Sequence, residues 1–371
     1  MQRSKKFLLP GLSALLILMA QACGKKDTDF GGTAPVIPKD SLVKPDTSKT
    51  LDTLRFATLN MSIGFPVSQL LFTNMADQPT AYKVLDSLFK RYQRTMPKER
   101  IKGMAKAIAD LKLDVVGLQE VMSFTKDGNL VDDYLPELLQ AIRDAGGPAY
   151  KFYSNPLNDT LLQGAMDGTV LKIAFHEGNA LLVKPELAIL DSARFLYFTL
   201  LKIPTGENAV TQRCLSYLKI KSPNGVVWQV YNTHLEVFED ISSSQALEVR
   251  RIVDSLKLRD SAGQETAPQI VMGDFNVLPN TDAHTVMQEG GFSDTFDTTA
   301  ADPGFTCCIA ASALWDTQAA FSNRRIDFIF SRHIVKVLEH HVALKDSLTT
   351  STGVGLLATD HRAVWARIVG Q

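Results

Sequence analysis

Ile270-Val271-Met272-Gly273-Asp274-Phe275-Asn276 runs apolar residues into a glycine and then sets out two polar groups. The apolar run reads as a strand. Asp274 and Asn276 flank one apolar residue, so along a strand they share a face. Gly273 lets another backbone or a ligand come close just where the strand ends. A carboxylate and an amide then meet at a strand mouth. Alone, the segment also fits a strand turning into the loop Val277-Leu278-Pro279-Asn280. Whether other strands end in the same way decides between the two.

Working outward, they do. Leu54 to Met61 alternates apolar and polar and delivers Asn60 at its end, and Asp114-Val115-Val116-Gly117-Leu118-Gln119-Glu120 is an apolar strand ending on Glu120. Helices are expected over Ala81 to Arg94 and Pro97 to Leu111; in the second, Ile101, Met104, Ala105, Ile108 and Leu111 form one stripe, with Pro97 in the first turn. Val131 to Ala145 reads as a further helix stopped by Gly146-Gly147-Pro148, Asn155 to Gly178 as an irregular surface excursion, and Asn179 to Lys184 as a strand. Gln212 to Ile220 and Val226 to Tyr231 pair around Ser222-Pro223-Asn224-Gly225, and the second runs into Asn232-Thr233-His234-Leu235. Ser242 to Leu256 is helical in period. Arg324-Arg325-Ile326-Asp327 and Thr359-Asp360-His361 adjoin the last strands. Strands alternating with helices give an α/β fold.

The N-terminus is of another kind. Arg3, Lys5 and Lys6 precede an apolar run from Phe7 to Met19, followed at once by Ala20-Gln21-Ala22-Cys23. A basic start, a short apolar stretch and small residues at the cut are the pattern of a signal peptide over residues 1–22. The end resembles a bacterial lipobox with Cys23 as the lipidated first residue, although Ala20 stands where a leucine is usual. Residues 23–52, rich in Lys, Asp, Thr and Pro, read as a flexible tether, leaving 53–371 as the folded domain. The expected location is therefore outside the cytoplasm, as an envelope lipoprotein of the outer membrane or cell surface.

Composition narrows the class. Of 371 residues 45% are hydrophobic and 21% charged, which excludes disorder and fibrous repeats. A formal net charge of -1 gives no global field toward nucleic acid or anionic lipid. The four cysteines include no CxxC pair, so a zinc knuckle does not fit; an oxidising compartment would allow Cys214 to pair with Cys307 or Cys308. No GxSxG elbow, P-loop or GxGxxG fingerprint occurs.

What remains is a set of acidic, amide and imidazole groups at strand ends: Asn60, Glu120, His234, Asp274 with Asn276, Asp327, and Asp360 with His361. Singly, each has a plain structural explanation as a solvated strand end, a satisfied histidine or a salt-bridge partner. Together they suit metal-assisted hydrolysis of a phosphate ester. Hard oxygen ligands favour Mg²⁺ or Mn²⁺, a base deprotonates water, and donors hold the phosphate.

In their order, Leu59-Asn60, Leu118-Gln119-Glu120, Asn232-Thr233-His234-Leu235, Gly273-Asp274-Phe275-Asn276, Arg325-Ile326-Asp327 and Asp360-His361 resemble the endonuclease/exonuclease/phosphatase superfamily over roughly Leu54 to Val369. The resemblance implies a four-layer α/β/β/α sandwich like that of DNase I. It also implies metal ligation by Glu120 with Asn60 and Asp360 nearby, and orientation of water and phosphate by Asp274 and Asn276. His234 would be a donor to phosphate, and His361 a base or phosphate-binding imidazole held by Asp327. Arg213 is a candidate for phosphate binding, and Thr359 stands where a serine is common. The Thr306-Cys307-Cys308 segment is similar to the sphingomyelinase-like branch. The expectation is a monomeric Mg²⁺-dependent hydrolase, with phospholipid, nucleic acid or inositol phosphate as substrate class. A surface nuclease and a catalytically silent surface binding module are the alternatives.

The lipidation reading has a direct check. The full chain is expected in the membrane fraction and Cys23→Ser in the soluble fraction; equal partition of the two would remove the lipid anchor.

Overall fold

Leu54 and Phe56 face one way from the first strand and Ala57 and Leu59 the other, and all four are buried, because both faces of this sheet are covered. A strand so placed carries a nearly continuous apolar run. The computed structural model describes residues 51–66, 68–71, 73–202, 210–258, 267–296, 303–309, 314–317 and 322–371. The signal-peptide and tether readings over residues 1–50, Cys23 included, lie outside the described residues.

In chain order the strands begin with β1 (Asp52–Asn60), β2 (Val115–Lys126), β3 (Asn129–Asp133), β4 (Lys151–Met166), β5 (Thr169–Val183) and β6 (Ala188–Leu196). A two-residue pair, β7 (Leu201–Lys202) and β8 (Val210–Thr211), precedes β9 (Cys214–Lys221), β10 (Val227–His234), β11 (Gln269–Asp274) and β12 (Ser293–Asp294). Then come β13 (Asp327–Arg332), β14 (Lys336–Ala343), the short pair β15 (Leu348–Thr349) and β16 (Gly355–Leu356), and β17 (Ala363–Gly370). One seven-stranded sheet has the order β14-β17-β1-β2-β5-β4, with β3 on β2; a six-stranded sheet has the order β12-β13-β11-β10-β9-β6. Each centres on a parallel pair, β1 with β2 and β10 with β11, joined through helices. Parallel pairing sends both strand ends of a pair to the same edge.

Three cores fill the layers. Helices Gln78–Arg94, Pro97–Asp110 and Tyr134–Asp144 pack on the outer face of the first sheet through Leu85, Leu88, Met104, Ile108, Leu138 and Ile142. Between the sheets lie Phe56, Val115, Leu181, Trp228, Val230, Met272, Ile329 and Ile368. Helices Glu239–Ser255 and Asp282–Glu289 cover the second sheet over Tyr231, Val271, Phe328 and Phe330. This is the four-layer α/β/β/α sandwich.

Several local expectations change. The strand ending at Glu120 in fact continues to Lys126 through a bulge, with the register shifted between Leu118 and Val121 and Glu120 at φ 54°. The excursion over Asn155 to Gly178 is instead the long β4–β5 hairpin, turned at Asp167-Gly168, both with positive φ. That Asp-Gly pair with alternating flanks is a hairpin signal. The helix expected from Val131 starts at Tyr134, because Asn129–Asp133 pairs back on β2 after a second Asp-Gly turn. Cys214 is free and buried beside Asn179 and Ser216, so the Cys214 disulfide does not form.

Buried side chains tie the sheets together. Asn232 of β10 is fully buried and crosses to the other sheet, donating to the carbonyls of Leu118 at 2.9 Å and Ala180 at 3.1 Å and accepting from Gln119 Nε2 at 2.6 Å. It passes over Gly117, where a Cβ would lie 2.7 Å from Asn232 Oδ1. Unmatched buried partners are expensive, so Asn232→Leu is expected to lower stability by about 3–5 kcal/mol in chemical denaturation. A loss under about 1 kcal/mol would show that this bridge carries nothing.

Candidate active site

Six backbone segments converge at the edge where the parallel strands end. Asn60 closes β1, Glu120 sits in the β2 bulge beside it, and His234 and Asp274 end β10 and β11 in register with each other. Asp327 opens β13 opposite Asp274 on the antiparallel side, and His361 precedes β17. The left-handed backbone at Glu120 turns its carboxylate out of the strand alternation and toward Asn60. Such a conformation in a non-glycine residue is costly and concentrates at functional sites.

Asn60 links the two halves. Its Nδ2 donates to Glu120 Oε1 at 3.1 Å and to Asp274 Oδ2 at 3.1 Å, and its Oδ1 accepts from the backbone N–H of Ser62 at 2.9 Å. Glu120 Oε2 accepts from the Ile63 N–H at 2.8 Å. Asn276 lies past the strand end at φ 55°, so strand alternation does not aim it; its N–H caps Asp274 Oδ1 at 2.9 Å and its Nδ2 donates to the Leu235 carbonyl at 2.9 Å.

His361 places Nδ1 3.0 Å from Asp327 Oδ2 and Nε2 3.7 Å from Asp274 Oδ2. Thr359 Oγ1 donates to the Asn60 carbonyl at 2.7 Å and accepts from the His361 N–H at 3.2 Å, so the hydroxyl binds this turn to β1. Cys308 Sγ is 3.9 Å from His361 Nε2. His234 Nε2 lies 3.6 Å from Asp274 Oδ2, which puts both imidazoles beside one carboxylate. Arg213 is buried, donating to Glu236 Oε1 at 3.0 Å and lying 2.9 Å from His234 Nδ1. Asp360 is half-buried next to this group and raises the affinity of Glu120 for its proton.

The electrostatics follow from crowding. Burial, then Asp360 and Glu177, push Glu120 up to about 7. Burial and the neighbouring Asp327 push Asp274 up to about 6. For His361 burial alone would favour the neutral ring, but Asp327 and Asp274 carry it well above its usual value. His234 goes the other way, well below, through burial and the charges of Arg213 and His361.

A divalent cation fits these residues. The carboxylates of Glu120 and Asp360 lie close enough to repel, with the Asn60 amide bonded to Glu120, and a bound cation would relieve that repulsion. The ligand atoms of Asp274, Asp327 and His361 also lie within 4.8 Å of one another. There the hydrogen bond between His361 and Asp327 accounts for the closeness.

Some supporting residues escaped the sequence reading. Gln119 bridges Thr58 and Asn232, and Thr306 Oγ1 accepts from the N–H groups of Ile326 and Asp327 at 3.1 and 3.3 Å. Arg100 is fully buried and donates to the carbonyls of Met61, Ser62 and Ala358 and to Tyr134 Oη, gripping the segments that carry Asn60 and His361 from behind. An arginine on an apolar helix face was the signal for it.

A sequence model of the endonuclease/exonuclease/phosphatase family matches residues 95–361. Among solved structures, an endonuclease/exonuclease/phosphatase family protein from Bacteroides thetaiotaomicron is 17% identical with a TM-score of 0.56, covering 86% of this chain and 96% of its own. A mannosyl-6-phosphatase of the same organism is 17% identical with a TM-score of 0.54, covering 85% and 99%. A Bacteroides vulgatus endonuclease/exonuclease/phosphatase is 20% identical with a TM-score of 0.52, covering 85% and 98%. These likenesses show the fold. No curated protein matches the chain in sequence.

Because Glu120 holds its proton up to about 7, and a carboxylate must lose that proton to ligate, divalent-metal affinity is expected to rise with pH through that value. Calorimetric titration of Mn²⁺ from about pH 5.5 to about pH 8 reads this as up to about tenfold per pH unit on the acid side, abolished in Glu120→Gln. A flat profile would remove Glu120 from the metal.

Proposed function

The chain belongs to the endonuclease/exonuclease/phosphatase family of phosphoester hydrolases, and from that premise we propose a Mg²⁺-dependent enzyme acting outside the cytoplasm, on phosphodiesters ahead of monoesters. The observation that carries the reading is the double hydrogen bond from Asn60 to Glu120 and Asp274. It joins a site suited to a cation to a site suited to water and phosphate. Mg²⁺ held by Glu120, Asn60 and Asp360 would neutralise phosphoryl oxygen charge.

The chain's own groups divide the remaining work. Asp274, fixed by Asn60 and by the Asn276 N–H, takes the proton from the attacking water. His361, kept cationic by Asp327, presents Nε2–H to a phosphoryl oxygen. His234 Nε2 lies 3.6 Å from the same carboxylate and serves as a second donor. All groups of the set are present, which weighs against a silent binding module.

The signal-peptide and Cys23 pattern supports a location at a membrane surface, and phospholipid head groups are the phosphodiesters met there. The net charge of -1 gives little support for long nucleic acid. One structural neighbour bears the name mannosyl-6-phosphatase, so a phosphomonoester is the competing class.

The test compares Mg²⁺-dependent release from sphingomyelin vesicles, plasmid DNA, bis(p-nitrophenyl) phosphate and p-nitrophenyl phosphate. Diester hydrolysis is expected, with kcat lowered about 10²–10⁴-fold in His361→Ala and Asp274→Asn. DNA nicking alone would indicate a scavenging nuclease, and monoester release alone a phosphatase. No turnover of any substrate with Mg²⁺ or Mn²⁺ would leave the binding module. Asp274 is raised to about 6, so it is protonated below that value and kcat is expected to fall as pH drops through it. A rate level down to about pH 5 would take Asp274 out of the role of base.

A further inference from the structure

We propose that Arg213 is a positioning residue that fixes the proton of His234 on Nε2, making His234 a permanent neutral hydrogen-bond donor to the substrate's phosphoryl oxygen. The inference rests on the phosphoester reading of the site and adds to it the reason that the two histidines do different work.

Arg213 stands just before β9, with only 9% of its surface exposed, and its guanidinium is framed on several sides. Nε donates to Glu236 Oε1 at 3.0 Å, and Nη1 lies 3.5 Å from Glu177 Oε1 and 2.9 Å from His234 Nδ1. The frame is itself held. Glu236 is 2% exposed and its N–H donates to Gln245 Oε1 at 2.9 Å, while Glu177 Oε1 accepts from Asn158 Nδ2 at 2.7 Å. The guanidinium therefore cannot swing away without leaving two carboxylates uncompensated.

Guanidinium has donors and no acceptor, and it does not deprotonate in proteins. Nδ1 of His234 must then be the acceptor, so it carries no proton. A neutral ring in that state bears its hydrogen on Nε2. The imidazolium form is disfavoured twice, because it would set an N–H against an N–H and a positive charge against a positive charge. Burial and Arg213 drive the proton affinity of this ring down, in agreement. At 3.6 Å from Asp274 Oδ2, Nε2–H is beyond a good hydrogen bond, so its donor capacity is left for a third group in the same space.

His361 is wired in the opposite sense. Its Nδ1 faces the carboxylate of Asp327 at 3.0 Å, an acceptor, so Nδ1 keeps its proton and the ring can be charged. One imidazole is thus a fixed neutral donor and the other a titratable one. Phosphoryl oxygens can be gripped by both rings without two adjacent imidazolium charges. A lysine at position 213 could not do the same, since a single ammonium lacks the planar fork that meets Glu236 and His234 together.

The decisive measurement is ¹⁵N NMR of the full-length protein labelled at its seven histidines, with the His234 signals assigned by their loss in His234→Asn. A proton-free Nδ1 and a protonated Nε2, unchanged from about pH 5 to about pH 9, are expected. An Nδ1–H tautomer or an imidazolium in that range would overturn the proposal. Arg213→Lys is expected to mix the His234 tautomers and lower kcat about ten- to a hundredfold, with KM and Mg²⁺ affinity little changed. A lysine variant with unchanged His234 signals and kcat within about twofold would also overturn it. If that variant does not fold, the wild-type spectra still decide. The NMR arm needs no turnover, so a fixed Nε2–H ring in a protein that hydrolyses no phosphate ester would sink the hydrolase reading and leave the tautomer assignment standing.

Discussion

The buried amide of Asn232 is the contact on which the rest of the site depends. A side chain from the second sheet satisfies carbonyls of the first and is itself satisfied by Gln119, so the sheets cannot slide by even part of a residue without stranding polar groups in an apolar core. Hydrophobic packing between the sheets through Phe56, Trp228 and Met272 supplies adhesion but little register. The amide supplies the register. His234 lies two residues beyond Asn232 and Glu120 one residue beyond Gln119, so the lock that aligns the sheets also sets the metal side of the site against the phosphate side.

A second constraint is electrostatic. Glu120, Glu177, Asp274, Asp327, Glu236 and Asp360 are gathered at one edge, where burial makes each charge costly. Arg213 and His361 offset part of this, each by a direct bond to a carboxylate. What they leave is a surplus of negative charge around Glu120, the place suited to a cation. Such crowding of buried charge costs stability at a place suited to ligation, a common relation between stability and function. Arg100 holds the frame from the outer side, where its guanidinium fastens the backbone at Met61, Ser62 and Ala358.

The reading of individual strands and helices was largely available from the chain itself. The helices over Gln78–Arg94 and Pro97–Asp110 follow their apolar stripes, and the hairpin at Ser222-Pro223-Asn224-Gly225 follows its turn. Errors arose where a local device replaced the regular pattern. Glu120 is aimed by a bulge and a left-handed backbone where a strand end was expected, and Asn276 by an Asx-type cap where strand alternation was expected. The β4–β5 hairpin was hidden by its polar, half-exposed residues despite the Asp167-Gly168 turn.

By itself the sequence determined the α/β rhythm, the family motifs and the chemical types at the strand ends, because periodicity and residue identity are local properties. Which of those groups touch was decided only by the tertiary structure. Asn60 and Asp274 are 214 positions apart in the chain, and Thr359 and Asn60 are 299 apart, and no period links such distances. Arg213 shows the same limit: its charge suggested a phosphate ligand, while its contacts with Glu236, Glu177 and His234 Nδ1 come only with folding. A side chain's chemistry is written in the chain, but its protonation and its partners depend on which groups folding buries against it.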